Sequence, residues 1–323
     1  MQKHNSMIFE RDFNHLTNEE VTLLDSYFDG YDYQASSYTL IANYIWRNTH
    51  KITWQVIGDY LCVAGLGTLE TEEEEYFMSF PLTRTGDYEK DKLKETIDTA
   101  RRIFEEKGKK FEISLIPASL APLLQEIYGD QIRLTHDRDD DDYIYLRQDL
   151  VSLSGRKLHQ KKNHLNYFQR TFQATYEEIR PENAEEVLAF LERINGQRLA
   201  EMPPEWKTIL ALETRAIEEL LSLLHTGRLL TGVIRIDGKI EAVTIGEYAR
   251  TCSHESVLVH VEKANPAYRG IYQAINHSFC CRLPEDTIFV NREEDMGMEN
   301  LRQTKMSYKP VRLAEKYEAA FVK

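Results

Sequence analysis

With 323 residues, 42% of them hydrophobic and 11% aromatic, the chain has enough apolar material for two domains of ordinary size. It contains no run of eighteen apolar residues, so no membrane span is expected. The formal charge of −13 lies wholly in residues 1–150, which hold 16 Lys+Arg against 29 Asp+Glu, while residues 151–323 balance at 24 against 24; so acidic a body argues against general nucleic-acid coating and DNA binding.

The opening stretch, MQKHNSMIFERDF, lacks the apolar core of a signal peptide. The four cysteines, Cys62, Cys252, Cys280 and Cys281, show neither CxxC spacing nor framework density, which points to reduced thiols and a cytoplasmic protein. Thr17 to Glu20 reads as a capping box entering an apolar-periodic helix. A second helix is predicted near Tyr38–His50, followed by a hairpin, ITWQVIGDYLCVAG, turning on Gly58 and Asp59. A strand near Tyr76–Pro81, a long helix over Lys90–Lys107, a strand over Phe111–Pro117, a short helix around Ser119–Tyr128 and two more strands follow. The acidic runs TEEEEY and DRDDDDY lack the glycine and ligand spacing of a calcium loop and read as solvated.

Between Val151 and Tyr176 there is no acid, and Arg156, Lys157, Lys161, Lys162 and Arg170 supply five positive charges. The segment is predicted to form a basic helix over 154–172 linking two halves, with Lys157 and Lys161 on one face and Leu165 and Phe168 as a short apolar stripe. A phosphate, a tRNA acceptor end or the acidic first half could each face these cations.

The second half repeats the order of the first. Strand YEEIR leads to helices near Glu182–Gly196 and Thr208–Thr226, then to a hairpin turning on Asp237–Gly238. Strand ESVLVHVEK, a helix from Gly270, strand TIFVN, a helix over Met298–Ser307 and a closing strand, RLAEKYEAAF, complete it. Gly58 and Gly238 are 180 residues apart, Asp91 and Gly270 are 179 apart, and Phe111 and Ile288 are 177 apart. A near-constant offset at three landmarks indicates a duplicated unit.

That unit resembles the acyl-CoA N-acyltransferase (GNAT) fold, and two in tandem resemble the Fem-type aminoacyl-transferases and the catalytic part of phosphatidylglycerol lysyltransferase. LSGRKLHQKKNHLNYFQRTF, residues 153–172, looks like the SG-K…KxN…F signature of the DUF2156 family, and HVEKANPAYRGIYQAIN with VNREEDMGMENLRQTKMSYKP is similar to its C-terminal half. The resemblance covers about residues 10–320, with its specific motifs within 153–310. It implies an α+β protein of two tandem GNAT-like domains, residues 1–150 and 151–323, each a mixed, mostly antiparallel sheet flanked by helices, with C-terminal strands that can be exchanged. The first copy lacks an Arg–Gly phosphate loop and is expected to be non-catalytic.

The resemblance also implies an acyl- or aminoacyl-transferase acting on an amine acceptor. Acyl-CoA is the expected donor and aminoacyl-tRNA the alternative, with no metal; a ligand-binding protein without turnover is the rival class. Arg269 and Gly270 match the core of the fold's diphosphate loop, where backbone N–H groups at a helix start hold an anion. Ile271 and Tyr272 continue that loop, and Tyr272 stands where the motif has a small residue; Lys161 and Lys162 are further candidates for donor phosphate. Alternation puts Leu258, His260 and Glu262 on one strand face, and Glu262 is the candidate to take a proton from the attacking amine, or else a carboxylate paired with Lys263 or Arg269. Asn291, Glu293, Glu294 and Asp295 end the next strand, so that one acid is expected to cap the following helix and another to hold a substrate amino group. Arg302, Lys305 and Tyr308 fall at spacings of three; Arg302 joins the substrate set, Lys305 is expected to stabilise an oxyanion or phosphate, and Tyr308 to protonate the leaving group or close the helix by packing.

Overall fold

The computed structural model describes residues 12–17, 21–67, 75–199 and 204–322. The proposed capping box at Thr17–Glu20 and the run TEEEEY therefore lie partly outside the described residues. The chain forms two compact units, one made of Met1–Asp141 with Ala314–Lys323 and one of Asp142–Leu313.

The first unit opens with β1 (Asn14–His15), α1 (Val21–Phe28) and α2 (Leu40–Trp46). It continues through β2 (Thr53–Ile57), β3 (Tyr60–Leu66), β4 (Tyr76–Ser79), α3 (Lys90–Glu106), β5 (Glu112–Pro117), α4 (Ala121–Tyr128) and β6 (Ile132–His136). The second begins with β7 (Asp142–Leu146), α5 (Arg147–Ser152), α6 (Gly155–Thr171), β8 (Ala174–Glu177), α7 (Ala184–Leu199) and α8 (Pro204–Ser222). Then come β9 (Leu229–Ile236), β10 (Lys239–Arg250), β11 (Ser253–Ala264), α9 (Ile271–Arg282), β12 (Phe289–Asn291), α10 (Glu299–Ser307) and β13 (Arg312–Ala314), before β14 (Lys316–Phe321) joins the first unit. The expected domain boundary after residue 150 falls within α5, and the predicted basic helix is α6, inside the second unit.

Each unit holds a seven-stranded sheet, ordered β1-β2-β3-β4-β5-β14-β6 and β13-β7-β12-β11-β10-β9-β8. β4 runs parallel to β5 in the first sheet, and β11 runs parallel to β12 in the second. The strand beside each pair reveals the exchange: β14 lies antiparallel to β5, while β7, which follows β6 in the chain, lies antiparallel to β12. The single closing strand predicted over RLAEKYEAAF therefore divides at Glu315, with its first part in the second sheet and its last part in the first. Two hydrogen bonds hold β14 at its entry to the first unit, Ala118 N to Glu315 O at 3.1 Å and Lys316 N to the Asp141 carboxylate at 3.3 Å.

Periodicity explains the local structure. In α3 the buried residues Leu93, Thr96, Ile97, Ala100 and Phe104 recur at three and four, the spacing of one helix face. In α6 only Leu158, Leu165 and Phe168 are buried, and they join Ile271, Ala274, Ile275 and Phe279 of α9 with Val257 and Val259 of β11 in the second unit's core. Burial of each such large apolar side chain stabilises by about 1.5–3 kcal/mol. That core fixes α6 and α9 over one face of the sheet.

Candidate functional site

The site begins with a strand that outruns its neighbour. β11 pairs in parallel with β12 only through Ser256–Leu258, yet continues to Ala264, so its last six residues have no β12 partner. On its other edge Ile245 pairs with Val261 and Gly246 with Val259, leaving His260 as a bulged residue. A side chain at Gly246 would come within 2.1 Å of the Leu258 carbonyl oxygen, so only glycine allows this approach.

The bulge shifts the phase of alternation. Val257 and Val259 face α9 before it; Ala264 faces the same core after it, and Glu262 bonds Asn276 of α9. His260 instead bonds Glu247 of β10 at 3.0 Å and Glu293 at 2.8 Å. The expectation that His260 and Glu262 share a face is corrected by this one inserted residue.

Glu262 anchors a buried polar cluster. Arg292, the residue after β12, donates from Nη2 to Glu262 at 2.8 Å, and Asn276 donates to the other carboxylate oxygen at 3.0 Å. Both side chains of the ion pair are 11% exposed, dry enough for their attraction to count. Lys263 turns instead to Glu213 of α8, and Arg269 is exposed. Burial works against the Arg292 charge, but the Glu262 carboxylate outweighs it and holds the proton more firmly than usual. Its guanidinium lies 4.8 Å from the Tyr308 ring centre, and its Nη1 is buried with no hydrogen-bond partner.

Tyr308 ends α10 and is 2% exposed. Its hydroxyl is also buried without a partner; the Gln273 amide of α9 is a polar neighbour outside hydrogen-bonding geometry. Burial, partly offset by Arg292, pushes the phenol up to about 12, so it keeps its proton at neutral pH. Lys161 of α6 places Nζ 4.1 Å over the same ring. Glu262, Arg292, Tyr308 and Lys161 thus meet beneath α6 and α9, with two donors unused.

The other expected residues of the last motif hold the loop after β12. Lys305 is buried and its ammonium donates to the carbonyls of Arg292 at 2.6 Å, Glu293 at 3.0 Å and Glu294, which uses all three of its protons. Burial lowers its proton affinity. Asp295, fully buried, accepts from Tyr143, from Arg302 Nε and Nη2 at 2.9 Å each and from Gly297 N at 3.0 Å. Asn291 donates to Asp142 at 2.9 Å and accepts from Glu293 N at 2.6 Å. None of the three acids is the helix cap expected of them: Met298 holds that position, and Asp295 contributes its backbone carbonyl to Met298 N.

The candidate phosphate loop packs against α6. Gly270, at φ +91°, starts α9, but an added Cβ would stand 2.3 Å from His164 O, because α6 packs against it. Ile271 is in the core, Tyr272 is half-buried against it, and Lys162 is exposed. Arg269 lies 4.8 Å from the ring centre of Tyr167 on α6. Sequence reasoning missed Arg292, Asn276 and Glu247. Arg292 was masked by the three acids beside it; Asn276 had a signal, a buried amide within an otherwise apolar helix stripe.

The Glu247–His260–Glu293 group makes a pH prediction. Burial disfavours the imidazolium, but the two carboxylates outweigh it and raise His260 from 6.5 to about 10. Below 6.5 folded and unfolded chains both hold the proton and the stabilisation is complete; it declines as pH rises and is gone above about 10. Urea-unfolding free energies of the wild type should fall across this window, and His260→Gln should flatten the slope. An equal slope in both proteins would remove His260 as its source.

Among the described residues no group of three or more His, Cys, Asp or Glu side chains is placed to hold a metal ion, and no helix is long and apolar enough to cross a membrane. The sequence profile of the family described as phosphatidylglycerol lysyltransferase, C-terminal, matches residues 28–320. A conserved protein of unknown function from Bacteroides thetaiotaomicron superposes with a TM-score of 0.84 at 29% identity, over 96% of this chain and 99% of that one. The C-terminal DUF2156 domain of a putative lysylphosphatidylglycerol synthetase from Agrobacterium fabrum gives 0.62 at 14% identity over 94% and 91%, and FemX gives 0.63 at 10% identity over 96% and 97%. Both of these share the fold, which is that of tandem GNAT proteins. The uncharacterised protein MYCGA3080 of Mycoplasmoides gallisepticum is 28% identical over 180 residues, and the match spans 54% of each chain, about half the length of that curated relative.

Proposed function

The chain belongs to the phosphatidylglycerol lysyltransferase C-terminal family, and from that premise we propose that it transfers an aminoacyl group from an ester donor, the 3′ end of an aminoacyl-tRNA, to an amine acceptor. The observation that carries the reading is the buried Glu262–Arg292 pair where β11 outruns β12, with Arg292 Nη1 and the Tyr308 hydroxyl left unpaired. Two fixed donors in a dry site suit a tetrahedral oxyanion, which gains more from them than the flat ester carbonyl does. Both oxygens of Glu262 already accept hydrogen bonds, so its part here is to orient the guanidinium.

The donor choice rests on two surfaces. Gly270, within the loop expected to hold a coenzyme A diphosphate, has His164 O and Phe168 Cβ of α6 packed against its Cα. By contrast α6 exposes Arg156, Lys157, Lys162 and Arg170, and Tyr167 is 37% exposed beside Arg269. Cations for phosphate and an aromatic face for an unpaired base are what a single-stranded RNA end requires.

The test offers the purified chain a tRNA pool charged with radiolabelled amino acids and, separately, labelled acetyl-CoA, each with a panel of primary amines. Label should leave tRNA for an alkali-stable amide, and Tyr308→Phe should slow this about 100-fold while tRNA binding persists. Consumption of acetyl-CoA with the charged tRNA untouched would overturn the donor assignment.

A further inference from the structure

Resting on the transfer reading above, we propose that Lys161 is its proton-carrying catalytic residue, taking a proton from the attacking amine and delivering it to the departing oxygen. Lys161 is the half-buried lysine of α6, while Lys157 and Lys162 beside it stay exposed. Its Nζ sits over the Tyr308 ring and makes no hydrogen bond or ion pair among the described residues. An ammonium that has lost water without gaining a carboxylate is poorly held, because the ring face replaces only part of its hydration.

The charged and titratable groups around it all bear on this. Arg292, after β12, repels the ammonium; Glu262 of β11 attracts it, but its oxygens are occupied by Arg292 and Asn276. His164, one turn along α6, has its own proton affinity lowered by Arg269 and Lys161 after burial, and Tyr308 of α10 stays neutral. Burial first and Arg292 second bring Lys161 down to about 8, which leaves a useful fraction of free amine at neutral pH.

Each other candidate base has a reason to be passed over. Lys305 donates to three carbonyls, so its lone pair is not presented to a substrate. His260 keeps its proton up to about 10 and lies on the other strand face. Glu262 is doubly hydrogen-bonded, and a phenol near 12 is a donor rather than an acceptor.

The step balances within the site. The acceptor nitrogen bonds to the ester carbonyl carbon, the C=O π pair moves to oxygen, and Arg292 Nη1 with Tyr308 receive that oxyanion. Neutral Lys161 takes the proton from the new C–N centre. As the tetrahedral carbon collapses, the bond to the tRNA ribose oxygen breaks and the Lys161 ammonium protonates that oxygen. The products are an amide and an uncharged ribose hydroxyl, and Lys161 is neutral again.

The experiment follows aminoacyl transfer to ethanolamine by the full chain between pH 6 and 9.5, for wild type, Lys161→Arg and Lys161→Gln. The wild-type rate should rise through a midpoint near 8; Lys161→Arg, which keeps the charge but cannot release its proton, should be at least about 100-fold slower and lose that midpoint. Competitive acetylation read by mass spectrometry should give the Lys161 amine the same midpoint without any substrate. Transfer by Lys161→Arg with the wild-type rate and profile would overturn the Lys161 role and leave the function standing. Failure of the wild type to transfer at all would overturn the function and this role with it.

Discussion

Replacing Arg292 by Met is expected to lower the free energy of unfolding by about 3–5 kcal/mol. The change removes the counter-charge of Glu262 and leaves its carboxylate in a site where the pair is only 11% exposed, with Asn276 as its remaining donor. An uncompensated buried charge is the costly outcome; loss of the attraction itself is the smaller part. The double variant Glu262→Gln/Arg292→Met should therefore recover most of the loss, because an amide needs no counter-ion. Urea titration of the wild type and both variants reads this directly. A loss below about 1 kcal/mol for Arg292→Met, the value of an exposed pair, would show that water reaches the site freely.

Gly270→Ala is expected to cost about 2–4 kcal/mol, combining the strain of a side chain at positive φ with overpacking against α6. The backbone stands at φ +91° and the new methyl group would meet His164 O at 2.3 Å and Phe168 Cβ at 3.0 Å. Since the clash is with backbone, α6 itself must move, and Lys161 moves with it. Loss of stability and of transfer should come together. A variant of unchanged stability that no longer binds a phosphate-bearing donor would return Gly270 to the role its Arg–Gly motif suggested.

The fold was legible because a duplicated pattern needs only elements and spacings. The offset from Gly58 to Gly238 marks equivalent two-residue turns, Ile57 pairing with Tyr60 and Ile236 with Lys239. Strand exchange was legible as a possibility, while the break at Glu315 was not, since Arg312–Phe321 reads continuously as strand and only its tertiary partners divide it. At the site, the family resemblance points to Glu262 and Tyr308, and the basic segment offers Lys161 as a ligand for donor phosphate. Their grouping was hidden by the bulge at His260, which reverses the facing of every later residue in β11, a change that alternation cannot register. The acids after β12 drew attention as a charge run; what they do depends on loop backbone at positive φ, at Glu293 (+57°) and Met296 (+52°), which residue type does not announce. In the sequence Arg292 is one more charge among them, and only the fold sets Glu262 opposite it.

A crystal structure of the chain with 3′-aminoacylamino-3′-deoxyadenosine, a stable amide analogue of the aminoacyl ester, addresses the central claim most directly. The analogue's carbonyl oxygen should lie within hydrogen-bonding distance of Arg292 Nη1 and the Tyr308 hydroxyl, with Lys161 Nζ on the side open to an incoming amine. Analogue density away from Glu262 and Arg292, with those two unpaired donors unaltered, would contradict it.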